Sequence, residues 1–114
     1  MASPPPTPAG LQPLTFHHVA ASNAIDACLR AAARLEDATA IRDRAATVAQ
    51  AEWRGPSRVA FDDELGRLDR AAAALADDLR ATAWSIGAAA ESARVENASR
   101  REARILWNRS QLVG

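Results

Sequence analysis

Two histidines and one cysteine are the side chains of this sequence best suited to metal or nucleophilic chemistry. His17 and His18 are adjacent, and neighbours along a helix do not face one another, so a shared metal ion would need ligands from elsewhere. Cys28 is the single cysteine, which excludes a disulfide within the chain and a cysteine-based zinc site. The sequence also lacks a glycine-rich phosphate loop and a nucleophile-elbow motif. We therefore expect no catalytic residue, no metal, no cofactor and no enzymatic activity.

Two pairs of adjacent acidic residues are the remaining candidates for acid–base catalysis. Asp62-Asp63 and Asp77-Asp78 lie close to arginines at helical spacing. Carboxylates and guanidinium groups three or four residues apart form ion pairs along the surface of a helix. The spacing therefore indicates solvated helix faces and not acid–base dyads.

The composition favours helices over sheets. The chain has 114 residues, with 14 acidic and 14 basic side chains and a net charge of zero. Alanine, the strongest helix former, accounts for 29 residues, whereas aromatic residues make up 4% and tyrosine is absent. We expect an all-α protein without a thick core. The neutral charge weighs against a nucleic-acid partner, and no apolar run approaches the roughly 18 residues that a membrane span needs.

Prolines and glycines divide the chain into a tail and two long helical segments. Five of the six prolines lie in residues 1–14, which we expect to form a disordered tail because proline fixes its backbone and lacks an amide donor. A solubilising leader is the simplest role for this tail, and a docking site for a proline-reading partner is the alternative. The pattern predicts helix 1 over about 18–52, a turn over 53–56, helix 2 over about 57–108 and a frayed end over 110–114.

Helix 2 carries a heptad pattern. Apolar or small residues recur at alternating steps of four and three for more than four repeats, which is typical of left-handed helix packing. The expected core and dimer seam consists of Phe61, Leu65, Leu68, Leu75, Leu79 and Ile86, with Ala72, Thr82, Ala89 and Ala93 in the same register.

Helix 1 has a broader apolar stripe, formed by Ile25, Cys28, Leu29, Ala32, Leu35, Ala38, Ile41, Ala45 and Val48. The helix should begin at Ser22 or Asn23, or earlier near His17, and the thiol of Cys28 should be buried and inert. A turn of only a few residues makes the two helices antiparallel, in a hairpin over 15–109. Because two helices bury only one side of each stripe, we expect this hairpin to pair with another into a four-helix bundle.

Two tryptophans mark a candidate partner surface. Trp84 lies away from the heptad seam, so its indole marks either a partner surface or a second packing face. Trp107 continues the register of the seam towards the C-terminal end. That end is locally basic, with Arg94, Arg100, Arg101, Arg104 and Arg109. A solvated end is the simplest interpretation of these arginines, and binding of an acidic partner or nucleic acid is the alternative.

The junction of the helices resembles the turn of a known family. Trp53-Arg54-Gly55 is followed by Pro56 and, eight residues after the tryptophan, by Phe61. In its motif, length and hairpin layout the region from about 17 to 104 resembles the WXG superfamily of small helical hairpins exported by type VII (ESX-like) secretion. Glycine lets the backbone turn closely after helix 1, and a bulky indole fills the end of the hairpin that the turn leaves open.

The resemblance implies a protein that acts by association and not by catalysis. It implies pairing with a similar small hairpin, with a heterodimer favoured over a homodimer, and contact with the secretion machinery. The chain would reside in the cytoplasm before export and leave without a signal peptide. Family export signals consist of a tyrosine followed four residues later by an acidic residue, but residues 94–102 contain no tyrosine, and Trp107 with Gln111 has the spacing without the residue types. The resemblance therefore implies the partner that lacks the signal.

Two alternatives to a secretion role remain at this point. A cytoplasmic helical adaptor, chaperone-like subunit or antitoxin could use the same seam without being exported. A small dimer could instead bind nucleic acid through the arginine-rich end of helix 2, although the neutral net charge disfavours it.

Overall fold

Two antiparallel helices form almost all of the molecule. The computed structural model describes residues 7–113 and contains a short 3-10 helix, Ala9–Leu11, followed by helix α1, His18–Gln50, and helix α2, Pro56–Val113. The all-α hairpin expected from the sequence is confirmed. Neither helix has a segment that is apolar enough over a sufficient length to cross a membrane.

The helix boundaries follow the local sequence closely. Helix α1 begins at His18 with His17 as its N-cap residue, which is the earlier of the two expected starts. It ends at Gln50, two residues before the expected end, because the chain already turns at 51–52. Gly55 has a φ of 103°, a conformation that glycine adopts without strain. Pro56 is the first residue of α2, where its missing amide hydrogen breaks no helical hydrogen bond.

Helix α2 is longer than the sequence pattern indicated. It continues through residues 109–113, five residues past the expected end, because the chain has no proline or glycine between Gly87 and Gly114 to end it. The frayed end expected over 110–114 is therefore wrong for residues 110–113. At about 1.5 Å per residue, the two helices are about 50 Å and 87 Å long, and the molecule extends over 91 × 18 × 16 Å.

Alanine forms the interface between the two helices. Within the described residues, the buried hydrophobic side chains are Ala32, Ala46, Ala76, Ala83, Ala90 and Ala93. Three of the α2 alanines, at positions 76, 83 and 90, recur every seven residues, as a helix-facing position does in a heptad. A second line of half-buried and buried residues, Leu65, Ala72, Leu79, Ile86 and Ala93, runs beside them.

The N-terminal segment packs along the part of α2 that extends beyond α1. Asn97 accepts a hydrogen bond at Oδ1 from the Leu14 amide (2.6 Å) and donates one from Nδ2 to the Leu14 carbonyl (3.2 Å). Arg100 donates to the Gln12 carbonyl at 2.9 Å, and Arg104 donates to the Leu11 carbonyl at 2.5 Å. The contacts from Leu14 to Leu11 thus follow α2 from Asn97 to Arg104, a rise of about 10 Å along the helix.

The disordered tail expected over 1–14 is therefore wrong for residues 9–14, and residues 1–6 lie outside the described residues. Proline lacks an amide donor, but every residue of the segment keeps a carbonyl that can accept a hydrogen bond. The arginine and asparagine side chains of α2 use these carbonyls, and a sequence pattern of prolines does not reveal that pairing.

Substitution of glycine by alanine should have opposite effects at the turn and in α2. Gly55→Ala places a Cβ on a residue with positive φ and should lower the free energy of unfolding by about 1–3 kcal/mol. Gly66→Ala should raise it by about 1 kcal/mol, since the added Cβ meets only the flexible end of Arg70 at 3.2 Å. Urea unfolding followed by far-UV circular dichroism measures both. A Gly55→Ala variant that is as stable as the parent would contradict the assignment of Gly55 as the strained position.

Candidate functional site

The turn that joins the helices is held by Trp53. Its backbone amide donates to the Gln50 carbonyl at 3.2 Å, and its indole Nε1 donates to Ser57 Oγ at 3.0 Å. The indole ring lies 5.0 Å from the ring of Phe61, centroid to centroid, at an angle of 43°. Trp53 is half-buried, so the indole closes the end of the hairpin beside Gly55 and Pro56.

Arg58 is a turn residue that the sequence analysis missed. Its Nη1 donates to the carbonyls of Gln50 (2.9 Å) and Trp53 (3.0 Å), and its Nε pairs with the carboxylate of Asp62 at 3.0 Å. Gln50 also donates to Asp62 at 2.5 Å. The last carbonyls of a helix have no partner within the helix, and an arginine nearby can satisfy them. An arginine three residues after Gly55 is the sequence signal that could have indicated this role.

The structure places the predicted seam residues of α2 in two environments, some half-buried and some exposed. Leu65, Leu79 and Ile86 are half-buried on the line that runs beside the buried alanines. Phe61 packs on Trp53. Leu68 and Leu75 remain 48% and 49% exposed, so the single hairpin does not cover them, and their place in a dimer seam stays a prediction.

The predicted apolar stripe of α1 likewise contains both half-buried and exposed residues. Ile25, Cys28 and Leu35 are half-buried and Ala32 is buried, whereas the remaining members of the predicted stripe are exposed: Leu29, Ala38, Ile41, Ala45 and Val48. A helix pair in contact through alanines brings the two backbones close together, and the larger apolar side chains then lie at the edges of the contact.

The exposed leucines lie on one face of the hairpin, beside an apolar groove of about 320 Å³. The groove is lined by Ala45, Ala46 and Ala49 of α1 and by Phe61, Leu65 and Leu68 of α2, with Arg42 and Glu64 at its rim. Leu75 is seven residues beyond Leu68 and so lies on the same side of α2. We call this surface, formed by Phe61, Leu65, Leu68 and Leu75 with the α1 alanines, the leucine face.

Trp84 lies on the opposite side of the hairpin. It is nine residues past Leu75, which at about 100° per residue places it about 180° around the helix. Its side chain is 76% exposed and borders a groove of about 500 Å³ that is also lined by Ile25, Leu29 and Gly87. Trp107 is half-buried on the part of α2 beyond α1. The two tryptophans proposed as one partner surface are therefore 23 residues apart on α2 and differ in exposure.

A carboxyl pair bridges the helices near the middle of the hairpin. A hydrogen bond with Asp69 raises the pKa of Asp43, and burial and the negative charge of Asp69 raise it further, while Arg42 opposes the shift. The same hydrogen bond lowers the pKa of Asp69, which also pairs with Arg42 at 2.7 Å. Because these carboxyls are 26 residues apart in the chain, the sequence pattern did not indicate that they meet.

The remaining residues considered for chemistry occupy structural positions. Asp62 pairs with Arg58, and Asp77 lies 3.9 Å from Arg80. His17 is exposed, His18 packs against Phe16 with ring centroids 4.7 Å apart, and the thiol of Cys28 is half-buried. In the described part of the chain, no group of three or more His, Cys, Asp or Glu side chains is placed to hold a metal ion.

Removal of the two indoles should affect stability very differently. Trp53→Ala removes a half-buried ring and its hydrogen bond, so we expect a loss of about 2–3 kcal/mol, below the range of about 3–5 kcal/mol for a fully buried indole. Trp84→Ala should change the free energy of unfolding by less than about 0.5 kcal/mol, since its ring is mostly in solvent. Urea unfolding of both variants at one protein concentration tests the contrast. Equal losses would contradict the role of Trp53 in closing the turn.

Asp43→Asn should stabilise the hairpin in a pH-dependent manner. A carboxyl whose folded-state pKa is raised disfavours folding when it is ionised, so its protonation stabilises the fold as pH falls through that pKa. Asparagine donates to Asp69 at every pH, so the variant should be more stable than the parent at pH 7. The difference should shrink as pH falls through the raised pKa of the parent carboxyl.

Chemical unfolding across this pH range measures the effect, and Asp63→Asn, at an exposed position, is the control for loss of one negative charge. A stability difference that does not change with pH would contradict the raised pKa of Asp43.

Comparisons of this chain with family models, with curated proteins and with solved structures find no match. Its function is therefore inferred from its own residues and their arrangement.

Proposed function

We propose that this chain acts without catalysis, by packing its leucine face against a second helical hairpin to form a four-helix bundle. The observation that carries this proposal is the exposure of Leu68 and Leu75, at 48% and 49%, beside a groove lined almost entirely by apolar side chains. Contiguous exposed apolar surface rimmed by polar residues marks sites of protein association.

The composition of the core supports the same conclusion. Within the described residues, the hydrophobic side chains that the hairpin buries are alanines, and each removes little apolar area from water compared with a leucine. Small helical units without a large core commonly gain stability through oligomerisation. A second hairpin that covers the leucine face would bury Phe61, Leu65, Leu68 and Leu75 together.

The geometry of the face suits a helix pair as its partner. The alanines at 45, 46 and 49 leave a shallow channel on α1, and the side chains of Phe61, Leu65 and Leu68 line it from α2. Large side chains of one helix that insert between small side chains of another are the basis of bundle packing. A similar hairpin would therefore place its own leucines in this channel.

We further propose a role in type VII secretion, as a substrate or as the partner of a substrate. This proposal rests on the resemblance of Trp53-Arg54-Gly55 to the WXG turn, on the packing of Trp53 against Phe61 at that turn, and on the length of the two helices. Since residues 94–102 contain no tyrosine, the partner hairpin would carry the export signal. An adaptor, chaperone or antitoxin that is never exported would use the same face.

Substitution of Leu75 by glutamate should dissociate the assembly. Within the single hairpin the residue is about half exposed, so the substitution should leave the helical content nearly intact. In the bundle it would bury an unpaired carboxylate, and we expect association to weaken by at least about 100-fold, or about 2.7 kcal/mol. Light scattering coupled to size exclusion measures the mass.

Val95→Glu is the matched control, because Val95 is 60% exposed and lies two residues from both Ala93 and Asn97, on the side of α2 away from α1. This variant should keep the mass of the parent. A parent chain that remains a single particle at every concentration, alone and when co-expressed with the product of the neighbouring gene, would overturn the proposed association. A complex that forms in the cell but never reaches the medium would overturn the secretion role and favour an adaptor.

A further inference from the structure

A cavity lies where α1 begins against α2, on the side covered by the N-terminal segment. It has a volume of about 360 Å³, within the usual range for small-molecule sites. The side chains that line it come from three parts of the chain: Pro13 of the segment, His18 of α1, and Arg94, Asn97, Ala98, Arg101 and Arg104 of α2.

The polar groups of this cavity are almost all hydrogen-bond donors. Three guanidinium groups and an imidazole line it, and no acidic side chain does. Both atoms of the Asn97 amide are already paired with the Leu14 backbone, which leaves the arginines to determine what can bind. A cavity with donors and without acceptors suits a ligand rich in acceptor atoms and negative charge.

The arginines retain donors that the protein does not use. Of the three arginines that line the cavity, Arg101 and Arg104 form no ion pair within residues 7–113. Arg94 meets Glu91 through Nη1 alone, at 3.2 Å on an exposed surface, and Arg104 uses Nη1 on the Leu11 carbonyl.

The start of α1 adds positive potential at the same place. The Nδ1 atom of His18 is buried and has no hydrogen-bond partner within the described residues. The first turn of α1 contains no acidic residue, and His17 makes no side-chain capping hydrogen bond. The first amides of a helix attract anions, so the start of α1 and the arginines of α2 both favour a negatively charged ligand.

We propose that this cavity binds a small ligand through a phosphate group. Planar guanidinium groups match phosphate oxygens with paired hydrogen bonds. A phosphate group carries a charge of about −1.5 to −2 at pH 7. It therefore matches three guanidinium groups better than a ligand with a single carboxylate would. The ligand would contact the N-terminal segment at Pro13, the start of α1 at His18, and α2 at Arg94, Arg101 and Arg104. This site is separate from the leucine face and does not depend on association.

Titration of the full chain with inorganic phosphate at low ionic strength tests the proposal, with calorimetry for affinity and amide NMR for location. Binding should be saturable, with a Kd below about 1 mM, and should shift the backbone amide signals of residues 14, 18, 94 and 101. Arg101→Gln, at an exposed position that should not affect folding, should weaken binding at least about tenfold. Arg67→Gln is the matched control, because it removes the same charge from an exposed arginine that pairs with Glu64 outside the cavity.

The controls distinguish a phosphate site from general attraction to anions. Equal weakening in the Arg101 and Arg67 variants, or binding of citrate as tight as that of phosphate, would overturn the assignment. Binding of a short single-stranded DNA without measurable binding of phosphate would also overturn it, and would instead indicate a nucleic-acid surface. Absence of saturable phosphate binding at low ionic strength would overturn the proposal that this cavity is a binding site.

Discussion

Close contact through alanine determines the rest of this structure. Ala76, Ala83 and Ala90 of α2 meet α1 at a seven-residue interval, and Ala32 and Ala46 of α1 are buried in the same contact. Side chains this small let two helix backbones approach closely, but they fill little volume. The larger apolar residues therefore lie at the edges of the contact, where a single hairpin cannot cover them. The alanine contact thus creates both the hairpin and the apolar surface that the hairpin leaves exposed.

Polar groups secure the two ends of this narrow contact. At the turn, Arg58 donates to the carbonyls of Gln50 and Trp53, while Trp53 stacks against Phe61. At the other end the contact line of α2 changes from alanine to polar side chains, and Asn97, Arg100 and Arg104 bind the backbone of the N-terminal segment in place of a helix. The ion pairs along the middle, such as Arg80 with Glu36, are largely exposed and contribute little each.

The two faces of the hairpin have different character. The leucine face is apolar and continuous along the turn half of the molecule, which suits another helix pair. The opposite face carries Trp84 with Ile25 and Leu29 beside the Arg80–Glu36 pair, and it is more polar. In the proposed assembly, the continuous apolar face is the side that would turn towards the partner. The proposed phosphate cavity lies beyond both faces, at the start of α1, and could be occupied in an assembly as well as in the single chain.

The sequence by itself determined the helical class, the hairpin and the position of the turn, because alanine content, glycine and proline act locally on the backbone. It also located the apolar line of Leu65, Leu79 and Ile86, because a heptad spacing places these residues on one side of the helix however the helix packs. Only the tertiary structure decided which of two adjacent heptad lines faces α1. Residues 61, 68 and 75 and residues 76, 83 and 90 both flank the line of Leu65 and Leu79, and the contact selected the alanines because they permit the shorter distance between helices. The bonds from Asn97, Arg100 and Arg104 to the N-terminal segment, and the meeting of Asp43 with Asp69, join residues that are far apart in the chain. Such contacts depend on how the helices are placed in space, which no local pattern of residues records.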